Sequence, residues 1–219
     1  MLDFSVARWA MVNGQLRTND VTNSDLLDAF SVIPRERFVD PSEISVSYAD
    51  RMVTAVGGIK RMMLKPMVLG RLIQAAMIKP GDVVLDIAGG AGYSAAIMAA
   101  LGAQVTVLED DEGQADAAQR VLQQSGFGGV TVLVGPLDSG GSAGVRYDAI
   151  LVNGRCESLP ESLFNQLSDG GRLVAIMGSA LSSAGRVYTA SEGAMGEKRL
   201  LSATGPALSA FSRTTEFVF

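Results

Sequence analysis

The amino-acid sequence predicts an α/β fold, in which a parallel β-sheet is covered by helices on both faces. From residue 66 onward, short apolar runs alternate with stretches whose apolar residues recur at helical spacing, the pattern of strand–helix–strand repeats. The first apolar run leads into a glycine-dense turn. Residues 1–65 lack long β-branched runs and predict short helices joined by loops. The 219 residues suit one domain with an extension.

The N-terminal region contains one clear helix signal. Asn23 and Ser24 are residue types that cap helix N-termini. The apolar residues after them recur at helical spacing, at Leu26, Leu27, Ala29 and Phe30. Pro34 ends this helix, because a residue that precedes proline is disfavoured in the α conformation.

The alternating region opens with a helix at Pro66, because proline is favoured in the first helical turn. Its apolar stripe is Val68, Leu69, Leu72, Ile73 and Ala76. The predicted strands are residues 83–87, 104–108, 130–134, 147–152 and 171–177, all short apolar runs of the kind buried in parallel sheets. The predicted helices between them are residues 93–101, 115–122 and 159–167, and residues 213–219 predict one more strand.

Composition excludes several kinds of site. The chain has no histidine, which rules out Ser-His-Asp triads, Cys-His dyads and zinc sites with imidazole ligands, and we predict no metal. The net charge of −5 argues against a nucleic-acid partner. The single cysteine, Cys156, predicts a reducing, cytoplasmic compartment and is expected to be a buried apolar residue.

Neither a targeting segment nor a membrane span is expected. Asp3 and Arg8 interrupt what would have to be an apolar signal core. The most apolar stretch, residues 83–108, is broken by Asp86 and four glycines. We therefore predict no membrane partner.

The most informative segment is VLDIAGGAGYSA, residues 84–95, where a strand runs through a glycine turn into a helix. Glycines let a backbone approach a ligand closely, and a helix N-terminus presents free N–H groups. Glu109 closes the next strand, where a carboxylate can reach both hydroxyls of a ribose. The pattern predicts a nucleoside cofactor; the alternative is tight strand–helix packing with Glu109 at a solvated strand end.

Two cofactors fit this pattern. Residues 90–95 (GAGYSA) match the dinucleotide fingerprint of NAD-binding folds. Against NAD, Asp86 would face a pyrophosphate with like charge, and about 65 residues precede the first strand. The same carboxylate would attract a ligand that carries an ammonium and a sulfonium. S-adenosylmethionine is therefore the better candidate.

The chain resembles the protein-L-isoaspartate (D-aspartate) O-methyltransferase family over most of residues 11–177. The stretches VLDIAGGAGYSAA, YDAILV and LFNQLSDGGRLV are typical of the broader methyltransferase class, and the N-terminal stretches MVNGQLR, IPRERFV and YADR are similar to this family within it. The resemblance implies a Rossmann-like class I methyltransferase fold with a mostly parallel seven-stranded sheet. It also implies methyl transfer from S-adenosyl-L-methionine to an isoaspartyl carboxylate, which leaves S-adenosyl-L-homocysteine.

This chemistry suits a chain without histidine. A carboxylate is ionised at neutral pH and needs no general base, so no catalytic residue is predicted. The strand–turn–helix pattern, the sheet edge and the resemblance together predict that the cofactor is bound by Asp86, Ala88, Gly89, Gly90, Gly92, Tyr93, Glu109, Asp110, Pro136, Leu137 and Asn153. Asn153 precedes Gly154, so a plain turn is its alternative role.

The chain departs from the family pattern at several of these positions. Ala88 replaces the first glycine of the motif, and Pro136 replaces an aspartate expected to face the adenine amino group. The substrate loop consists of Gly58, Met62, Met63, Leu64, Lys65 and Pro66. Met62 stands at the family's threonine and Leu64 at its serine, so little or no turnover of isoaspartyl peptides is expected.

Two roles are open for Met62 to Leu64: a plug in the core, or a remodelled apolar pocket. Lys60, Arg61 and Lys65 either attract an anionic substrate or form a solvated basic loop. The expected partner is a protein or peptide with an isoaspartyl carboxylate; a different small substrate and a non-catalytic cofactor-binding role are the alternatives. We predict a helical extension with the substrate loop at residues 1–65, and the cofactor-binding domain at residues 66–219.

Overall fold

The computed structural model describes residues 3–57 and 61–213. Its N-terminal part contains helices α1 (Phe4–Met11) and α2 (Ser24–Val32), followed by the short strands β1 (Val53–Thr54) and β2 (Met62–Met63) and by helix α3 (Pro66–Ala76). The capping and proline signals in the sequence correctly predict where α2 begins and ends. The Asn23 side chain accepts from the Leu26 amide at 2.8 Å and caps α2, and α2 ends before Pro34 as expected.

The central sheet is formed by the alternating region. Its elements are β3 (Val83–Ile87), α4 (Tyr93–Ala100), β4 (Gln104–Glu109), α5 (Glu112–Gln124), β5 (Thr131–Val134), β6 (Tyr147–Cys156), α6 (Glu161–Phe164), β7 (Leu167–Gly178), β8 (Ser183–Ser191) and β9 (Ala194–Ser202). The strand order is β5-β4-β3-β6-β7-β8-β9. The first five strands of that order pair in parallel, whereas β8 and β9 are antiparallel.

The β8–β9 hairpin was not predicted from the sequence. Its two-residue turn is Glu192-Gly193, in which both residues have positive φ, 50° and 78°. A two-residue turn with positive φ at both positions matches the right-handed twist of the two strands that it joins. Such turns favour glycine at the second position, which is the sequence signal for this hairpin. The hairpin supplies the last two strands of the sheet, and β9 lies at its edge.

The predicted helix at residues 159–167 is wrong in length. Helix α6 covers four residues, Glu161–Phe164. The chain leaves it early because the Tyr147 amide donates to the Gln166 carbonyl at 2.8 Å, which draws the next residue, Leu167, into the sheet beside β6. The predicted strand at residues 213–219 falls almost entirely outside the described residues, and Arg213 itself lies in no strand.

Apolar clusters cover both faces of the sheet. One cluster joins the N-terminal helices, α3, α4 and α5 to strand residues such as Val84 and Val107. The opposite cluster contains Leu85 and Ile150 and is closed by α6 and a segment at residues 208–211. The N-terminal residues and the sheet therefore share a core, while the domain boundary after residue 65 stays a prediction.

Within the described part of the chain, the helices are too short or too polar to cross a membrane.

Candidate functional site

The glycine turn at residues 88–92 connects β3 to α4 and has three residues with positive φ. These are Ala88 (56°), Gly90 (65°) and Gly92 (90°). Glycine adopts this conformation freely, whereas alanine pays a steric cost of about 1 kcal/mol. A Cβ on Gly92 would also lie 2.8 Å from the Leu122 side chain. The turn is thus shaped by backbone geometry, and Ala88 is strained in it.

Asp86 lies fully buried beneath this turn. Ser94 Oγ donates to its Oδ2 at 2.6 Å, and Asn153 Nδ2 donates to its Oδ1 at 2.6 Å. Burial raises the pKa of Asp86 to about 7, against the opposing effect of these two hydrogen bonds. A Cβ on Gly89 would come within 2.5 Å of Oδ2. The carboxylate therefore supports the turn from below.

Asn153 was weighed as a turn residue, and that alternative is wrong. Residues 153 and 154 continue β6 toward Cys156. Asn153 is buried, and its amide donates to the Ile87 carbonyl at 3.2 Å as well as to Asp86. Asn153 thus ties the ends of two neighbouring parallel strands together. Cys156 is fully buried, as expected, and burial raises the pKa of its thiol to about 12.

Glu109 ends β4 with no exposed surface. The Gly90 N–H donates to its Oε1 at 2.6 Å. Arg61 Nε and Nη2 donate to its Oε2 at 3.1 and 2.9 Å, and Nη2 also donates to Asp110 Oδ1 at 2.5 Å. Burial raises the pKa of Glu109, and the Arg61 charge opposes this. Both oxygens of the predicted ribose carboxylate therefore have partners within the chain.

Arg61 belongs to a short hairpin that lies on the glycine turn, here named the covering hairpin and comprising residues 53–57 and 61–65. Its strands pair Val53 with Met63, and the Ala55 amide donates to the Arg61 carbonyl at 2.7 Å. A Cβ on Gly90 would lie 3.1 Å from Ala55 Cβ and 3.4 Å from Arg61 Cγ. The hairpin is therefore in direct contact with the turn.

Little space is left between the covering hairpin and the turn. A cavity of about 10 Å³ remains there, lined by Met62, Met63, Leu64, Leu69, Ala88, Gly89, Tyr93, Ser94 and Asn153. That volume holds about one water, whereas small-molecule sites usually enclose roughly 300–1,000 Å³. Met63 and Leu64 are buried. Of the two roles left open for these apolar side chains, the plug describes this conformation better than an open pocket does.

The C-terminal end of the covering hairpin is anchored by Arg35, a residue of the stretch IPRERFV for which no role in the site was predicted. Its guanidinium is fully buried and lies 5.0 Å from the Tyr93 ring centroid. Nη2 donates to the Leu64 carbonyl at 2.9 Å, and Nε donates to the Ser47 carbonyl at 2.8 Å. Lys65 is half-buried, and Pro66 opens α3 as predicted. Gly58 and Lys60 lie outside the described residues.

The segment after β5 brings few polar groups to the site. Pro136 is exposed, as is Asp138, the residue that follows the predicted pair. Leu137 is buried in the cluster on the opposite face of the sheet. The Gly135 amide donates to the Glu109 carbonyl at 2.9 Å, so this segment supports the backbone of β4.

Arg61 and Ser94 contribute to the site without having been predicted for it. Arg61 was expected to face an anionic substrate or solvent, and it instead pairs with Glu109 and Asp110. Its partner lies 48 positions away, so local sequence carried no signal. In the described parts of the chain, no group of three or more His, Cys, Asp or Glu residues is placed to hold a metal ion.

Comparison with known proteins identifies the family. A profile of the protein-L-isoaspartate (D-aspartate) O-methyltransferase family matches residues 8–203. A protein-L-isoaspartate O-methyltransferase from Koribacter versatilis is 34% identical over 176 residues, which is 80% of this chain and 78% of the relative. One from Gloeobacter violaceus is 35% identical over 169 residues, covering 77% of this chain and 82% of the relative.

Solved structures show the same fold. A protein-L-isoaspartate O-methyltransferase structure aligns over 94% of this chain and 67% of its own with a TM-score of 0.81 and 22% identity. A proposed enzyme of this kind from Plasmodium falciparum, solved with S-adenosyl-L-homocysteine, aligns over 96% of this chain and all of its own, with a TM-score of 0.79 and 16% identity. The fold is the Rossmann-like class I methyltransferase fold. This chain belongs to the protein-L-isoaspartate (D-aspartate) O-methyltransferase family.

Proposed function

We propose that the chain is an S-adenosylmethionine-dependent O-methyltransferase that acts on the free α-carboxylate of isoaspartyl residues in proteins or peptides. The observation that carries this proposal is the position of Glu109, at the carboxyl end of β4 and in contact with the Gly90 amide of the glycine turn. Ligands of open α/β sheets bind at this edge. The names of the two bacterial relatives support the same activity.

The chemistry of the residues present fits the cofactor. Glu109 would accept from the two ribose hydroxyls, and Asp110 lies beside it. Asp86 offers a buried carboxylate toward the cationic end of the ligand, oriented by Asn153. The turn residues Ala88, Gly89, Gly90 and Gly92, together with Tyr93, would line the cofactor, with Pro136 and Leu137 on its adenine side.

The space between the covering hairpin and the glycine turn is closed in the structure. The cavity there has about 10 Å³, room for about one water, so we infer that the hairpin moves when the cofactor enters beside Ala88, Gly89 and Tyr93. Pro136 also has no N–H to offer the adenine ring. The glycine turn, Asp86 and Glu109 thus have the chemistry to bind the cofactor, and the covering hairpin lies closed over them.

The expected reaction needs no general base, because the carboxylate that accepts the methyl group is already ionised at neutral pH. When bound, the cofactor supplies an electrophilic methyl group on a sulfonium. The chain has to hold an ionised carboxylate in line with that group and exclude water, and positioning supplies most of the catalytic effect in such a displacement. The loop residues Met62 and Leu64 offer no hydrogen bond to a carboxylate, which predicts slow turnover.

The test is a methyl-transfer assay with the full chain. An isoaspartyl peptide is incubated with S-adenosylmethionine that carries a radioactive methyl group, and the volatile methanol released from the ester by mild base is counted. The same peptide with a normal aspartyl linkage is the control. Release from the isoaspartyl peptide above that control supports the proposal. Equal counts from both peptides, with cofactor shown to bind, would refute the substrate assignment.

The location and partners are proposed with the same function. A protein substrate that carries an isoaspartyl carboxylate is the partner that follows from the reaction. A reducing cytoplasm suits the single buried thiol of Cys156.

A further inference from the structure

We infer that Arg61 is a latch, which holds the covering hairpin closed and competes with the cofactor ribose for the carboxylate of Glu109. This inference rests on the proposed S-adenosylmethionine function. It goes beyond that function by naming the residue that decides whether the site is open. It follows from three features of the site: the pairing of Glu109, the space under the hairpin, and the neutral hydrogen bonds that lie next to Arg61.

The pairing of Glu109 is the first feature. The Arg61 side chain is 11% exposed and that of Glu109 is fully buried, so this ion pair is shielded from solvent. Arg61 donates two hydrogen bonds to Oε2, and Gly90 donates one to Oε1. Ribose hydroxyls would need to donate to these same oxygens. A guanidinium and a ribose cannot both occupy the outer side of this carboxylate.

The space under the hairpin is the second feature. The Arg61 Cγ lies close to Gly90, with 3.4 Å between it and the position of a Cβ on that glycine. Met62 and Met63, the next residues of the same strand, line the cavity of about 10 Å³. When Arg61 leaves Glu109, these side chains leave with it, since they lie on one short strand. One movement therefore frees both the carboxylate and the volume.

The surrounding contacts are the third feature. Charged groups also hold the far end of the hairpin, where Arg35 donates to the Leu64 carbonyl and Glu43 accepts from the Thr54 amide. Around residues 55–57 and 61 the other hydrogen bonds are neutral, such as those from Gln114 Nε2 to the Val56 carbonyl at 3.1 Å and from the Val56 amide to the Phe38 carbonyl at 3.0 Å. Hydrogen bonds between charged groups are the stronger kind, particularly where solvent is excluded. Loss of the contact between Arg61 and Glu109 should therefore open this end of the hairpin, while Arg35 continues to hold the end at Leu64.

Asp110 gives the released arginine a second partner. Its side chain is 39% exposed and already accepts from Arg61 Nη2. The guanidinium can therefore give up Glu109 while keeping Asp110, at the rim of the site. This makes opening less costly than placing an unpaired charge in a buried position.

The test measures ligand affinity and backbone opening in the same variants. Arg61→Ala removes the latch, and Arg61→Lys retains the charge without the two-pronged contact. Arg71→Ala is the matched control, because it removes an arginine that pairs with Asp20 on the exposed side of α3. S-adenosyl-L-homocysteine binding is measured by calorimetry, and amide hydrogen exchange of residues 61–65 is measured without ligand.

We expect Arg61→Ala to bind S-adenosyl-L-homocysteine about tenfold more tightly than the wild type. If only about one molecule in ten of the wild type is open, its apparent affinity is about tenfold lower than that of the open state. Arg61→Lys should be intermediate and Arg71→Ala unchanged. Exchange at residues 61–65 should be faster in Arg61→Ala than in the control. Equal or weaker binding by a folded Arg61→Ala variant, or exchange unchanged from wild type, would overturn the latch.

The two proposals fail in different ways. If neither the wild type nor Arg61→Ala binds the ligand, the cofactor function falls, and the exchange data still decide the latch. Faster exchange at residues 61–65 would then support Arg61 as the residue that closes the hairpin, whereas unchanged exchange would refute it.

Discussion

The glycine turn and the hairpin that covers it lie in contact, but they are specified in different ways. In the turn, Ala88, Gly90 and Gly92 adopt the positive φ angles that glycine favours, so residue type and position determine the structure. In the covering hairpin, side chains from distant parts of the chain hold the position: Arg61 reaches Glu109, and Arg35 reaches the Leu64 carbonyl.

The difference means that one region binds the ligand and the other controls whether the ligand can reach it. The turn, Asp86 and Glu109 form a frame whose chemistry suits an adenosyl ligand, and the hairpin decides whether that frame can be reached. Substitutions in the frame should alter affinity or strain locally. Substitutions in the hairpin should alter the stability of the closed state, and the predictions below separate the two effects.

The largest expected effect is at Leu64. Its side chain is 2% exposed and helps to fill the space above the turn. Leu64→Ala should lower the free energy of unfolding by about 3 kcal/mol, because a buried leucine loses transfer energy and leaves a cavity. Urea denaturation measures this change.

Leu181→Ala is the matched control for that measurement, because Leu181 is fully exposed. It should change stability by less than about 0.5 kcal/mol. Equal effects of the two substitutions would mean that Leu64 is not a packed part of the closed hairpin.

Glu109→Ala tests the frame. The carboxylate proposed to bind the ribose is lost, so S-adenosyl-L-homocysteine affinity should fall by about 1.5–3 kcal/mol, or one to two decades. This is opposite in sign to Arg61→Ala, although both substitutions break the same ion pair. Calorimetry resolves the sign.

Glu112→Ala, in the exposed first turn of α5, is the control for Glu109→Ala and should bind as the wild type does. A rise in affinity for Glu109→Ala would place the ribose partner elsewhere.

Asp86 gives the frame a pH dependence. Its pKa is about 7 in the folded chain and near 3.9 in an unfolded one, so the folded state binds the proton more tightly. Its contribution to stability is therefore complete below pH 4 and is lost as pH rises through 7. Between pH 5 and 8 the free energy of unfolding should therefore fall by about 2–3 kcal/mol.

Asp86→Asn should flatten that part of the stability profile, as followed by urea midpoints at each pH. Asp28→Asn, on the exposed face of α2, should leave the slope unchanged. A slope that persists in Asp86→Asn would assign the pH dependence to other groups.

The smallest expected effect is at Ala88. Its φ of 56° favours glycine, so Ala88→Gly should raise stability by roughly 0.5–1 kcal/mol. Thermal melting would show a small increase in Tm. Ala91→Gly, at a buried position of the same turn without a positive φ, should have the opposite sign. A loss of stability in Ala88→Gly would show that packing of the alanine methyl group outweighs the strain at its positive φ.

The parts of the fold that were predicted correctly have local causes. The strand at residues 83–87 is apolar because both faces of the sheet bury it, and the N-cap at Asn23 acts within one helical turn. The β8–β9 hairpin lacks such an apolar run, since many of its residues are exposed. Its turn, Glu192-Gly193, was the available signal.

Two features of the site could not be predicted from local sequence: the partner of Arg61 and the burial of Arg35. The partner of Arg61 depends on how the hairpin folds over the turn, and a basic residue in a loop gives no indication of that. Arg35 occurs in a motif that identified the family, but its burial against Tyr93 and its bond to the Leu64 carbonyl arise from tertiary packing. Long-range polar contacts of this kind leave no periodic pattern.

The position of β9 at the edge of the sheet bears on how the chain behaves when concentrated. No described strand pairs with its outer side, and a free strand edge is a template on which another chain can add a strand. Glu197, Lys198 and Arg199 lie exposed in the middle of this strand. Charged side chains on an edge oppose that kind of self-association, and salt screens them. The protein should therefore stay dispersed most readily at low ionic strength.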